Sequence, residues 1–119
     1  FSIETTLATR SLVEIIRQAR ELGYTITLLY FWLSSPDLAI ARVRDRVLNG
    51  GHNIPDEVVK RRYYAGINYF FNTYMPLVDR WVLADNSHSP FKVVAEGNRA
   101  ETYIKDREKY ELIRSSADR

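Results

Sequence analysis

Cysteine is absent from the sequence, which excludes both a disulfide framework and a thiolate metal site. That absence leaves the redox compartment open, and a cytoplasmic address is the default expectation. No apolar run approaches the roughly 18 residues needed to cross a bilayer, and no basic segment followed by an apolar one opens the chain. A surplus of one charge is lacking too. The 17 Lys and Arg residues stand against 15 Asp and Glu, a net charge of +2, and the two signs are interleaved. A nucleic-acid partner calls for a concentrated basic face, so this balance argues against one.

What is present is a core. Hydrophobic residues make up 45% of the 119, which excludes disorder, and the length suits one domain. The chain opens at Phe1 inside the strand-like segment Phe1-Ser2-Ile3-Glu4-Thr5-Thr6. Domains seldom begin within an element that must be buried, so the expectation is a truncated or cleaved chain.

Ser11-Leu12-Val13-Glu14 has the form of a capping box, followed by Leu12, Ile15, Ile16, Ala19 and Leu22 on one helical face and by Gly23 as the terminator. Residues 24–33 are β-branched and aromatic, and apolar on both parities from Leu28, as in a strand covered on both faces. Ser35-Pro36-Asp37 supplies an N-cap, a proline at N1 and an acidic first turn for a helix that Gly50-Gly51 ends. After the loop His52-Asn53-Ile54, Pro55 opens a third helix with a buried stripe of Val59, Tyr63, Ile67, Phe70 and Tyr74, limited by Pro76. Residues 80–84 read as a short buried strand and Asp85-Asn86-Ser87 as a turn. Residues 91–96 and 102–104 read as a hairpin across Gly97-Asn98-Arg99, and Asp106 caps a final helix. The order β-α-β-α-α-β followed by β-β-α predicts an α/β fold with a parallel sheet in a three-layer sandwich.

Three places could carry chemistry. The helix over residues 37–49 bears Arg42, Arg44 and Arg46. Its apolar arc of Ile40, Val43 and Val47 places Arg44 inward and the other two outward. An inward arginine must meet a carboxylate, a carbonyl or an anion, because guanidinium stays charged. An internal ion pair and a phosphate ligand are both open at this point. Arg61 and Arg62 follow the glycine-flanked loop, where they either help close cations over a phosphate chain or form a solvated face. Glu4, Thr5 and Thr6 end the first strand at the edge where open parallel sheets bind ligands, so they either hold sugar hydroxyls or cap the next segment. His52 and His88 lack metal-ligand spacing. The cluster Tyr63, Tyr64, Tyr69, Phe70, Phe71 and Tyr74 reads as core packing. No Gly-x-Ser-x-Gly or Walker A pattern occurs.

The order of these motifs resembles the zeta-toxin-like kinases. Phe-x-x-Glu-Thr-Thr-Leu, Leu-Gly-Tyr, Trp-Leu-x-Ser-Pro, Ala-x-x-Arg-Val-x-x-Arg-Val, Gly-Gly-His-x-Ile-Pro and Arg-Arg-Tyr-Tyr-x-Gly span nearly the whole chain. The resemblance implies that residues 1–119 are the C-terminal part of one P-loop NTPase-like kinase domain. On that reading a preceding half carries the P-loop and most Mg2+ ligands, and the 119 residues alone do not turn over ATP. It further implies that Glu4, Thr5 and Thr6 face a hydroxyl acceptor, that Arg44, Arg46 and Arg61 grip the ATP phosphates, and that Arg62, Asp85 and Asn86 lie about the nucleotide. Zeta toxins phosphorylate UDP-N-acetylglucosamine. Here Glu-Thr-Thr replaces their Glu-Gly-Thr, which leaves the acceptor a nucleotide sugar or a related metabolite. An antitoxin protein is an implied partner. The family's P-loop strand would lie between the strands at residues 1–5 and 25–33, a gap to be filled by a preceding segment or by strand exchange. A non-catalytic nucleotide-binding or protein-interaction module of the same fold is the alternative.

Overall fold

In the computed structural model, which describes residues 2–4 and 10–117, short-range capping chemistry sets most of the element boundaries. Helix α1 (Val13–Glu21) begins one residue after Leu12. Its capping box does not form. The Leu12 N–H instead donates to the Tyr74 hydroxyl at 3.3 Å, a partner 62 residues away. Gly23, at φ 89°, takes the left-handed conformation that closes the helix. The buried face consists of Val13, Ile16 and Ala19, whereas Ile15 is exposed and Leu22 is 77% exposed. The expected stripe is therefore rotated, because burial of Val13 turns Ile15 and Leu22 outward.

Helix α2 (Pro36–Leu48) starts as expected, with the Ser35 hydroxyl accepting from the Leu38 N–H at 3.1 Å. None of its residues is buried. Helix α3 (Asp56–Tyr69) runs into a π-helical turn (Phe70–Tyr74), closed by the Met75 N–H donating to the Phe70 carbonyl at 2.8 Å. The wider turn keeps Phe70, Phe71 and Tyr74 all buried. Helix α4 (Arg107–Ser116) is capped by Asp106, which accepts from the Lys109 N–H at 3.0 Å.

Among the described residues the sheet has five strands in the order β1 (Ser2–Glu4), β2 (Thr27–Trp32), β3 (Arg80–Asp85), β4 (Lys92–Asn98) and β5 (Thr102–Ile104). The first three are parallel and the last two add an antiparallel hairpin, so the fold is α/β with a mixed sheet. Residues 1, 5 and 6 of the expected opening strand lie outside the described residues. The register places Ile3 opposite Leu28 and Glu4 opposite Leu29. This corrects the expected gap: β1 and β2 are direct neighbours, paired over Ser2–Glu4 and Thr27–Leu29 with no strand between them.

Burial along β2 alternates. Leu28, Tyr30 and Trp32 are buried, while Thr27, Leu29 and Phe31 are half-buried. The expectation of cover on both faces is thus corrected. The buried parity packs on the π-helical turn, with Tyr30 stacked on Phe70 at 4.8 Å. Phe31, on the other parity, meets the half-exposed ring of Phe91 edge-on at 5.1 Å, which shields it only in part. Ile16, Ile67, Leu83, Val94 and Ile113 complete a core to which α1, α3, β3, β4 and α4 all contribute. Among the described residues, no helix is long and apolar enough to cross a membrane.

Candidate functional site at the carboxyl edge of the sheet

Parallel strands β2 and β3 end side by side, with Trp32 opposite Asp85. Beyond them the chain turns into α2 on one side and into the turn 85–87 on the other. A cavity of about 180 Å³ opens here. Its floor is Tyr30, Phe31 and Leu33, from β2 and the residue after it. One wall is α2, which presents Ala39, Arg42, Val43 and Arg46, the i, i+3, i+4, i+7 positions of a single helix face. The other wall is Ile54 with Val59, Arg62 and Tyr63 of α3. Three arginines are thus among the lining residues, Arg42 half-buried and Arg46 and Arg62 exposed, and no carboxylate side chain is among them.

Arg42 is the half-buried member. Its Nη2 donates to the Asn86 carbonyl at 2.9 Å and to the Ser87 carbonyl at 3.3 Å. Both acceptors are neutral, so the side chain is held in place without losing its charge. Arg44 points the other way and pairs with Asp56 at 2.7 Å, with the two side chains 68% and 52% exposed. This reverses the expected orientation of the helix. Of the arc drawn through Ile40, Val43 and Val47, only Val43 lines the cavity. The face that meets the sheet edge is centred between Ala39 and Val43, which brings half-buried Arg42 to the cavity, leaves exposed Arg46 at its rim and sends Arg44 out. The i, i+3, i+4, i+7 set was present in the sequence as the signal for this.

Arg62 is among the residues lining the cavity, while Arg61, its neighbour on α3, is not; both are exposed. Glu4, the last described residue of β1, lies opposite Leu29, three positions short of the Trp32 end of β2, and Thr5 and Thr6 lie outside the described residues. His52 and His88 are exposed. Among the described residues, no group of three His, Cys, Asp or Glu side chains could hold a metal ion.

Tyr63 ties α3 to the end of β2 by donating its hydroxyl to the Leu33 carbonyl at 2.7 Å. Burial, aided by the neighbouring Tyr64, pushes its pKa up to about 12, so the phenol stays a donor at neutral pH. Burial also pushes Tyr30 above the ordinary phenol range. The turn after β3 is built around Asp85. Its Oδ1 accepts from the Ser87 N–H at 2.9 Å and from the Ser87 hydroxyl at 2.6 Å, and its Oδ2 accepts from Lys109 Nζ at 2.8 Å. Burial pushes the Asp85 pKa up, but the bonds from Lys109 and Ser87 outweigh it and hold the carboxyl below the usual range. The bond to Asp85 in turn raises Lys109. With three protein donors on its carboxylate, Asp85 shapes the turn, and the turn reaches the cavity through the Asn86 and Ser87 carbonyls on Arg42.

No protein-family model matches the chain, and no solved structure matches it. A Haemophilus influenzae protein, itself uncharacterized, is 35% identical over 63 residues, which are 53% of this chain and 45% of that protein. The match thus spans less than half the length of that relative, and it brings no activity with it.

Proposed function

We propose that this chain contributes the phosphate-gripping part of an ATP-dependent phosphotransferase similar to the zeta-toxin-like kinases. The acceptor on this reading is a hydroxyl of a nucleotide sugar or related metabolite. The observation that carries the proposal is the convergence of Arg42, Arg46 and Arg62 on one cavity at the carboxyl edge of parallel strands. Ligands of open α/β sheets bind at that edge, and phosphoryl transfer depends chiefly on positioning the phosphates and neutralising their charge. At about 180 Å³ the cavity is smaller than the roughly 300–1,000 Å³ that encloses a drug-sized ligand, so it suits one or two phosphate groups rather than a whole nucleotide. The described residues hold no group of three His, Cys, Asp or Glu side chains placed for a metal ion, and Mg2+ is assigned to none of them.

The direct β1–β2 pairing favours a second reading, a nucleotide-binding module that does not transfer phosphate. A P-loop kinase of the resembled kind places its P-loop strand between those two, and here they are hydrogen-bonded neighbours. Incubating the intact protein with ATP and following ADP by 31P NMR separates the readings. The phosphotransferase reading expects ADP formation that falls by roughly 10²-fold or more in Arg42→Ala, as for other phosphate-clamping arginines. ATP binding without ADP formation would leave the second reading standing, and absence of ATP binding would remove both.

A further inference from the structure

We infer that Lys109 is a positioning residue for the phosphate cleft, acting through the turn 85–87 to hold the Arg42 guanidinium in place. The inference rests on the phosphate-binding reading above. Lys109 does not line the cavity. It lies in the first turn of α4, where its backbone is fixed by the Asp106 cap and its Nζ reaches Asp85 at 2.8 Å. With side chains 33% and 11% exposed, the pair is better shielded than an ordinary surface ion pair. Asp85 passes the constraint on. Its other oxygen gathers the Ser87 N–H and hydroxyl, and the same hydroxyl oxygen accepts from the Ser34 N–H at 2.9 Å, just past the end of β2. The turn is thereby clamped to α4 and to β2 at once, and its Asn86 and Ser87 carbonyls converge on one nitrogen of Arg42.

This arrangement differs in kind from the way Arg44 is held. Asp56 neutralises Arg44, whereas two carbonyls orient Arg42 and leave its charge uncompensated. The remaining donors of that guanidinium fork have no partner among the described residues and can donate to a pair of phosphate oxygens. α2 has no buried residue to fix it from below. The tether from α4 therefore does what core packing does elsewhere.

A double-mutant cycle on the intact protein tests this, with ATP as the titrated ligand. Lys109→Met is expected to weaken ATP binding about five- to tenfold in the wild-type background and to have almost no effect in an Arg42→Ala background, because the two changes remove one coupled interaction. Lys109→Arg should restore most of the affinity. Losses that multiply independently, or an unchanged affinity in Lys109→Met, would overturn the inference. If Lys109→Met does not fold, Ser87→Ala breaks the same clamp and is read in the same cycle. NMR of the Arg42 guanidinium without ligand supplies a readout independent of ATP. Slow rotation in the wild type and fast rotation in Lys109→Met support the tether, and identical behaviour overturns it. Should wild-type protein bind no ATP, the functional reading falls, while this spectrum still decides the tether.

Discussion

Arg42 and Arg44 sit two positions apart on one helix and do opposite things, so they give the sharpest comparison at the scale of single residues. Arg42 is held by neutral carbonyls beside the cavity, and Arg44 is spent on an exposed pair with Asp56. ATP affinity of the intact protein should fall at least about tenfold in Arg42→Ala, the loss of a charge-assisted contact of roughly 1.5–3 kcal/mol. Arg44→Ala should change it by less than about twofold, because exposed pairs contribute little. Equal effects would return the cavity to an ordinary surface hollow. The Asp85–Lys109 link makes a second residue-scale claim. Asp85 is depressed, so its stabilisation is complete above the unfolded carboxylate value near about pH 4 and is lost as pH falls through the lower folded value. Lys109 is raised, so its share is complete below the unfolded value near about pH 10 and is lost as pH rises through the folded value. Lys109→Met should therefore lower Tm by an amount that stays constant between about pH 5 and about pH 9 and shrinks in acid, as calorimetry at several pH values would show. A gap that varies across neutral pH would mean that other groups govern the turn. Neither claim could be read from sequence spacing. The orientation of Arg42 depends on carbonyls 44 and 45 positions away, and helix periodicity alone placed Arg44 on the wrong side.

Among the elements, those whose boundaries rest on neighbouring residues were the ones legible in the sequence. Ser35 caps α2, Asp106 caps α4 and Gly23 closes α1 because each acts within a few residues of itself. The start of α1 was misread because its free N–H is satisfied by Tyr74, brought there by the π-helical turn and not by any local motif. The hairpin also hides a requirement. A Cβ on Gly97 would lie 2.7 Å from Trp81 Cζ2 and 2.8 Å from the Glu101 carbonyl oxygen. Gly97→Ala should accordingly destabilise the protein by about 1–3 kcal/mol in denaturant unfolding; unchanged stability would show that Trp81 and the hairpin shift freely. Helix α2 should behave as the least protected helix. With no buried residue against three in α3, its amides should exchange with solvent well before those of α3. Equal protection in hydrogen-exchange mass spectrometry would contradict the picture of a helix with no buried residue to anchor it.

For the whole molecule, the α/β class and the order of elements followed from sequence patterns, whereas strand neighbours did not, since alternation and capping say nothing about which strands pair. The β1–β2 contact is the case that matters, because it departs from the sheet order that the resemblance implied. Cross-strand NOEs between the amides around Ile3 and Leu28 in the intact protein test it; their presence favours a binding module, and their replacement by contacts to another strand favours the P-loop kinase arrangement. Both readings share one claim, that a phosphate chain binds where Arg42, Arg46 and Arg62 meet. Calorimetric titration of ATP into the intact protein and into the Arg42→Ala/Arg46→Ala/Arg62→Ala variant measures it directly. A dissociation constant between about 1 μM and about 1 mM is expected for the wild type, the usual range for enzyme substrates, and no measurable binding by the variant. Wild-type protein that gives no binding heat, or a variant that binds as tightly as the wild type, would contradict it.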